Sequence, residues 1–327
     1  MLNRRKPTAT VTITTTSLIM TTTERKVRAY SSWNQYGYTI VGSDGPSPNL
    51  TELHSPTGID IDDDGTVYIC DSMNHRIIRR RSNSTTNEVV AGGNGEGNRI
   101  DQLNTPLDVI IDKKKNSLTI CDFKNYRIMR WSLQNQTEPQ IIISKIVCRG
   151  LAIDQDGTIY VSEYYNDIGI VKRFKDGDLD GEIIAGGNGR GNHSNQLMAP
   201  SYRFVDHDYS VYISERENTR ISKWLKDAKE GIVVSGPSFG GNMRQMRYNR
   251  GFTLDCFGHI FIADSWNNRI VRWSKDLHDV MVILGGYGWG RKLHELNRPD
   301  DVVLDRQGNL YVVDTNNHRV LKFDAED

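Results

Sequence analysis

The sequence predicts an all-β fold, a six-bladed β-propeller of four-stranded antiparallel blades, on three observations. One pattern recurs with a period of roughly 50 residues, and its copies start near Pro56, Pro106, Arg149, Pro200, Arg250 and Pro299. Within each copy, short alternating apolar runs are separated by tight polar turns, which is typical of strands joined by hairpins. No helical stretch lies between the copies, and four-stranded units of this period are typical of propeller blades.

The strands of a blade can be read directly from a stretch such as PTGIDIDDDGTVYICDSMNHRIIRR, which begins at Pro56. It holds three strands, and a fourth precedes each glycine-rich loop, near Val89, Ile141, Ile183, Val233 and Val282. The sixth copy stops after its third strand at Phe323, whereas residues 37–53 form a strand and loop with no partners before them. We therefore expect an N-terminal strand at about Tyr38 to Gly42 to close the last blade, so that no sheet edge stays open.

Composition divides the chain into a tail and one domain. The first 23 residues hold nine threonines and no acid, so we expect residues 1–24 to be a disordered basic tail and residues 25–327 to form the propeller. The 41 basic and 41 acidic side chains balance, which gives no global charge for binding polyanions. No apolar run approaches the length of about 18 residues that a membrane helix needs, so we expect a soluble, monomeric propeller without a transmembrane segment.

The cysteines and the sequons bear on the compartment. The four cysteines form no CxxC pair, which argues against a zinc module, and we expect Cys70 and Cys121 to be free buried thiols. A cytoplasmic location is the default expectation. The basic, acid-free tail is also compatible with a transit peptide, and sequons at Asn49, Asn83, Asn135 and Asn192 keep an extracellular location open.

The glycine-rich loops invite a nucleotide-binding interpretation. VVAGGNGEGNRIDQL at residues 89–103 and IIAGGNGRGNHSNQL at 183–197 each place glycines directly after a strand, as a phosphate cradle does. Neither loop is followed by a helix or by a Lys-Ser/Thr pair, however. We interpret them instead as connections between blades, in which glycine supplies the positive φ of the turns, and Gln102, Gln196 and Gln245 as side chains that brace them.

Each third strand is preceded by a repeated acid, asparagine and arginine. The full set occurs as Asp71, Asn74 and Arg76; Asp122, Asn125 and Arg127; Asp264, Asn267 and Arg269; and Asp314, Asn317 and Arg319. The fourth copy has Glu215 as its acid, and the third has Glu163 without an arginine in register. This arrangement resembles the NHL-repeat propellers over about residues 37–323. The resemblance implies a scaffold for protein or single-stranded RNA binding, or, in the amidating lyases, a metal-dependent enzyme.

The candidate chemistry favours a non-enzymatic protein. The Asp and Arg residues occur once per blade, whereas an active site needs only one copy, so we predict structural roles for them. The innermost segments offer Asp60, Asp108 and Asp301 but no histidine near their centres. We therefore expect neither a metal site nor a cofactor, and the amidating-lyase activity stays the least favoured of three hypotheses.

A partner should contact the positions at which the copies differ. The third copy lacks a glycine loop before it, and its hairpin SEYYNDIGIV is about two residues longer than the others. A protein or peptide partner is predicted to bind there, because exposed aromatic residues are typical interface anchors. The candidates are Phe123, Lys124, Tyr126, Tyr164, Tyr165, Asn166 and Asp167.

A second group of residues suits single-stranded RNA, the alternative partner. Basic side chains alternate here with aromatic ones, which offer contacts to phosphates and stacking surfaces for bases. The candidates are Arg244, Arg247, Tyr248, Arg250, Trp266, Tyr287, Trp289, Arg291 and Lys292.

Overall fold

The computed structural model describes residues 32–42, 45–134, 138–236, 246–274 and 279–326. Over these residues the strands form six four-stranded antiparallel sheets that follow one another around a ring, together with one short two-stranded sheet. The all-β propeller prediction is therefore confirmed. The tail predicted at residues 1–24 lies outside the described part of the chain. Within that part, no helix combines the length and the apolar character needed to cross a membrane.

Each blade runs from an innermost strand at the channel to an outermost strand at the rim. From the inside outward, blade 1 has β3 (Ile59–Ile61), β4 (Val67–Asp71), β5 (Arg76–Arg80) and β6 (Asn87–Gly92). Blade 2 has β7 (Pro106–Asp112), β8 (Ser117–Asp122), β9 (Arg127–Ser132) and β10 (Gln140–Ser144). Blade 3 has β11 (Cys148–Ile153), β12 (Ile159–Tyr165), β13 (Ile168–Phe174) and β14 (Glu182–Gly186). Blade 4 has β15 (Pro200–Val205), β16 (Val211–Glu215), β17 (Arg220–Trp224) and β18 (Ile232–Ser235); blade 5 has β19 (Asn249–Leu254), β20 (Ile260–Asp264), β21 (Arg269–Ser274) and β22 (Asp279–Gly285); blade 6 has β23 (Asp301–Leu304), β24 (Leu310–Asp314), β25 (Arg319–Phe323) and β2 (Tyr38–Val41).

The N-terminal strand closes the ring as predicted. β2 pairs antiparallel with β25, with Tyr38 opposite Lys322 and Thr39 opposite Leu321. A further two-stranded sheet joins β1 (Ser32–Trp33) to β26 (Ala325–Glu326). The Trp33 indole N–H donates to the Gly308 carbonyl at 2.8 Å, and its ring packs edge-on against Phe261 of blade 5. The N-terminal segment therefore holds the last blade by its outer edge and by a buried aromatic anchor.

The apolar core lies between neighbouring blades. In one cluster, Cys70 and Ile77 of blade 1 pack with Val109 and Ile120 of blade 2. Strands covered on both faces by adjacent sheets carry few polar side chains, which explains apolar runs such as that of β24. Burial between blades fixes the spacing of the ring and thereby the positions of the loops at its ends.

Three carboxylates tie the innermost strands together around the channel. Asp108 accepts the N–H of Val109 and that of Leu151 in blade 3. Asp60 accepts from Ile61 and from Ile111 in blade 2, and Asp301 accepts from Val302 and from Ile59 in blade 1. These side chains thus link blade 1 to blade 2, blade 2 to blade 3 and blade 6 to blade 1.

Asp60 gives the ring a defined pH dependence. Burial raises its pKa to about 6, whereas the carboxyl has its ordinary value of 3.8 in the unfolded chain. Between these values the folded state keeps a proton that the unfolded state has released, so this contribution to stability grows as the pH falls from 6 to 4 and is lost as it rises. We expect the unfolding free energy of the wild type, minus that of Asp60→Asn, to increase by up to about 3 kcal/mol between pH 7 and pH 4.

Urea unfolding of both proteins at the two pH values measures this difference. The contributions of all groups that titrate in both proteins cancel when the two unfolding free energies are subtracted. A difference that stays constant, or that falls with acidification, would contradict the assignment of the raised pKa to Asp60.

One cysteine expectation is wrong. Cys121 of β8 is not free: it forms a disulfide with Cys148 of β11, with Cα atoms 5.8 Å apart. The bond joins blades 2 and 3, where no glycine loop connects them. The sequence distance of 27 residues hid this pairing, since only the stacking of the two blades brings the side chains together. Cys70 is free and buried, as expected, and Cys256 is exposed.

Candidate recognition surface

The glycine loops and the hairpins before the third strands lie at one end of the ring, which we call the top face. Here the repeated acid, asparagine and arginine clamp each loop. Asp122 accepts the Asn104 N–H through one carboxylate oxygen and binds Asn125 and Arg127 through the other, at 2.7 to 2.8 Å. Arg127 also donates to the carbonyls of Asn98, Arg99 and Gln102. The ion pair therefore fixes the loop that arrives from the previous blade.

The clamp recurs in other blades with the same partners. Three further arginines each bind the acid of their own blade and also donate to three loop carbonyls. Arg76 donates to Pro48, Asn49 and Glu52. Arg220 donates to Asn192, His193 and Gln196, and Arg319 to Arg291, Lys292 and Glu295. Inside the loops, Gln102 donates to the Asn94 carbonyl and Gln196 to that of Asn188. The structural interpretation of the motif and of these glutamines is confirmed, whereas Gln245 lies outside the described residues.

Blade 3 departs from this arrangement. Glu163 pairs with Lys172 at 3.0 Å in place of an arginine. Its hairpin is longer because β12 and β13 stay paired up to Tyr165 and Ile168. The turn consists of Asn166 and Asp167, both at positive φ, as in a type I′ hairpin. The Tyr165 side chain is 63% exposed at its tip.

A pocket opens at the centre of the top face, above the channel. Its volume is about 160 Å³, and its walls include Phe123, Arg149, Tyr164, Tyr202, Arg216 and Arg250. Phe123, Tyr164 and Arg216 each follow the acid of their blade, the position that Ser72, Ser265 and Thr315 occupy in blades 1, 5 and 6. The pocket is therefore lined on one side by the three blades in which this position carries a large side chain. We call it the central pocket.

Arginines dominate the charge of the central pocket. The Arg149 guanidinium lies 4.5 Å from the centre of the Phe123 ring, and that of Arg216 lies 4.6 Å from the Tyr248 ring. Arg250 forms an ion pair with Asp300. Burial and the neighbouring charges of Arg216 and Arg250 lower the pKa of Arg149. Like charges have thus been brought close together in a partly desolvated site.

The remaining residues predicted for a protein partner form the rim near blades 2 to 4. Tyr126 is 55% exposed, and Lys124 is exposed beside it. The Tyr164 hydroxyl donates to Asp167 at 2.9 Å. Arg190 bridges Asp167 and Glu217, and so connects the hairpins of blades 3 and 4.

The residues predicted for RNA are only partly brought together. Tyr248 stacks on Trp266 with ring centres 4.8 Å apart, and the Arg298 guanidinium lies 5.5 Å from the centre of the Trp266 ring. Arg247 is exposed, whereas Arg250 belongs to the central pocket. Tyr287 and Trp289 are exposed on the loop between blades 5 and 6, beside Arg291 and Lys292. Arg244 lies outside the described residues.

The two predicted groups therefore meet at one place. Phe123 and Tyr164 from the first line the same pocket as Arg250 from the second. Sequence reasoning missed Arg149, Tyr202 and Arg216. The available signal was the position after each acid, where Arg216 replaces the serine or threonine of other copies. In the described ranges, no group of three or more His, Cys, Asp or Glu side chains could hold a metal ion.

Comparisons with known proteins agree with the fold. Peptidylglycine alpha-amidating monooxygenase from Rattus norvegicus is 21% identical over 276 residues, which cover 83% of this chain and 24% of that protein. The protein from Mus musculus is 22% identical over 276 residues, covering 83% of this chain and 23% of its own length. The chain therefore spans about a quarter of the length of these curated relatives.

Solved structures show the same architecture. A protein of unknown function from Bacteroides thetaiotaomicron superposes with a TM-score of 0.70 at 15% identity, over 89% of this chain and 76% of that chain. A gluconolactonase from Xanthomonas campestris superposes with a TM-score of 0.60 at 12% identity, over 88% and 89%. Identities this low concern the fold alone.

The NHL repeat family matches residues 53–79 and 296–323. These segments contain the clamps of Arg76 and Arg319. They coincide with blades 1 and 6, so these two blades carry NHL repeats within a closed six-bladed β-propeller.

Proposed function

We propose that this propeller is a non-enzymatic recognition module that binds a protein or peptide through its top face. The observation that carries the proposal is the central pocket, formed where blades 2 to 4 replace small hairpin residues by Phe123, Tyr164 and Arg216. Aromatic residues and arginine are the side chains most enriched among interface hot spots. At about 160 Å³, the pocket is smaller than the roughly 300–1,000 Å³ of typical drug-sized ligand sites, and it suits one anchoring group of a larger partner.

The rim supports the same proposal. Tyr126, Tyr165 and Trp266 stand exposed around the pocket on hairpins of blades 2, 3 and 5. The loop clamps hold the neighbouring backbone through buried ion pairs, so that little conformational entropy is lost when a partner binds. A rigid face with a few aromatic anchors needs neither a metal nor a catalytic residue to function.

The test is a selection of displayed random peptides against the full chain, followed by fluorescence anisotropy of the selected peptides. We expect Tyr165→Ser and Trp266→Ser each to weaken binding at least about tenfold, as loss of a hot spot does. Phe257→Ser is the matched control, because Phe257 is also exposed but lies in a turn at the opposite end. Peptides that lose affinity only in the control variant would overturn the proposal.

Single-stranded RNA is the second candidate. The specific observation in its favour is the ladder in which Arg216, Tyr248, Trp266 and Arg298 stack in succession, because bases stack on such surfaces. A random single-stranded RNA pool is therefore titrated in parallel at 50 and 200 mM salt. RNA binding that falls steeply with salt, without any peptide binding, would replace the protein partner by RNA.

A further inference from the structure

The central pocket gathers three guanidinium groups from three different blades. Arg149 lies at the start of β11, Arg216 in the hairpin after β16, and Arg250 in β19. Only Arg250 meets a carboxylate there, that of Asp300. Across the described part of the chain, neither Arg149 nor Arg216 forms an ion pair with an acidic side chain. The pocket therefore carries an excess of positive charge.

Among the described residues, the Asp300 carboxylate offsets part of this excess, because it pairs with Arg250 and also interacts electrostatically with Arg216. The faces of Phe123 and Tyr248 attract the two guanidinium groups, but an aromatic quadrupole carries no net charge. The Nε atoms of Arg216 and Arg250 are buried and have no hydrogen-bond partner among the described residues. A buried donor without a partner costs free energy.

Two carboxyl groups of the innermost strands, Asp301 and Asp108, lie near the Tyr202 side chain of the pocket, and burial together with their charges raises the pKa of the Tyr202 phenol. Burial and the nearby Asp108 also raise the pKa of Asp301 well above its ordinary value. The carboxyl oxygens of both residues accept backbone N–H groups of the ring.

We infer that the central pocket binds an oxyanion, a carboxylate or phosphoryl group of the ligand, between Arg149 and Arg216. Planar guanidinium groups present paired donors that match the oxygens of either group. The Phe123 and Tyr164 side chains give the pocket apolar walls, which suit an oxyanion attached to a small ring or aliphatic chain. The inference rests on the proposed function in taking the top face as the binding face, and it names the chemistry of the anchoring group.

The experiment uses three monosubstituted benzenes as probes, titrated calorimetrically into the full chain at constant ionic strength. Benzoate and phenyl phosphate carry the two oxyanions, and benzamide is the uncharged counterpart of benzoate. We expect saturable binding of at least one anion and at least tenfold weaker binding of benzamide. The tighter anion distinguishes a carboxylate ligand from a phosphoryl ligand.

Charge-removing variants locate the site. Arg149→Gln and Arg216→Gln are each expected to weaken anion binding at least tenfold. Arg306→Gln removes the same charge from an exposed turn at the opposite end, where Arg306 pairs with Asp63, and should bind like the wild type. Melting curves check that each variant is folded, which we expect because losing Arg149 or Arg216 relieves repulsion.

Equal binding of benzamide and benzoate, equal affinities in all three variants, or no saturable binding of either anion would overturn the inference. Each of these results leaves the peptide measurements untouched, since those depend on Tyr165 and Trp266. Conversely, anion binding at Arg149 and Arg216 without any peptide binding would support the oxyanion site and contradict the proposed protein partner.

Discussion

Deleting residues 25–53 is expected to abolish the cooperative unfolding transition of the propeller. The deletion removes β2, the outer strand of blade 6, and leaves the edge of β25 unpaired. It also removes the buried side chains of Trp33, Val41 and Leu53. Among the described residues, Val41 and Leu53 of this segment pack against apolar residues of blades 1 and 6. The deletion therefore removes part of the apolar core between these two blades. Circular dichroism during heating measures the transition.

Deletion of residues 1–23 is the control and should leave the melting curve unchanged. A point variant tests the same segment without deleting any strand. Trp33→Ala should lower the unfolding free energy by about 3–5 kcal/mol, the usual cost of truncating a buried tryptophan. Tyr36→Ala, at a side chain that is 66% exposed, should change it by about 0.5 kcal/mol or less. If the long deletion melts like the wild type, the closure of the ring by β2 is wrong.

Arg127→Met is expected to lower the unfolding free energy by about 3–5 kcal/mol, because it leaves a buried charge without its partner. Asp122 is fully buried and Arg127 nearly so, and the three loop carbonyls that Arg127 binds would lose their donor. Arg127→Lys keeps the charge but loses the planar fork, so it should recover only part of the loss. Urea unfolding measures all three proteins.

Blade 3 supplies the matched control for the clamp. Lys172 pairs with Glu163, but 26% of the lysine side chain is exposed, and no glycine loop depends on it. Lys172→Met should therefore cost less than Arg127→Met, because the Lys172–Glu163 pair is partly accessible to water whereas the Arg127–Asp122 pair is buried. Equal losses in Arg127→Met and Lys172→Met would show that the clamp does not stabilise the propeller more than the partly exposed pair of blade 3.

The repeat made the architecture predictable. Hairpin turns and alternating apolar residues are local signals, and their recurrence located every blade, including the strand at Tyr38 that completes the sixth. The role of Arg127 could be predicted because its acid lies only five residues away. Trp33 was missed, since its partners Phe261 and Gly308 lie in blades 5 and 6 and no local pattern points to them.

The candidate site was less predictable because it is assembled across blades. Arg149 and Arg216 are 67 residues apart, and only the curvature of the ring makes them face one pocket. Comparing equivalent positions of the copies identified Tyr164 and Phe123, whereas charge patterning along the chain assigned Arg250 to a separate surface. The disulfide of Cys121 and Cys148 was missed for the same reason, since two neighbouring blades must first be stacked.

The most direct test of recognition through the top face is a fluorine NMR titration of the full chain, labelled with 5-fluorotryptophan, with a selected peptide. Trp266 and Trp289 are exposed on this face, whereas Trp33, Trp224 and Trp273 are buried. Trp266→Phe assigns the Trp266 resonance. We expect that resonance to shift or broaden on binding while those of the buried residues stay in place. Saturated binding that leaves the Trp266 resonance unchanged would contradict a partner site beside the central pocket.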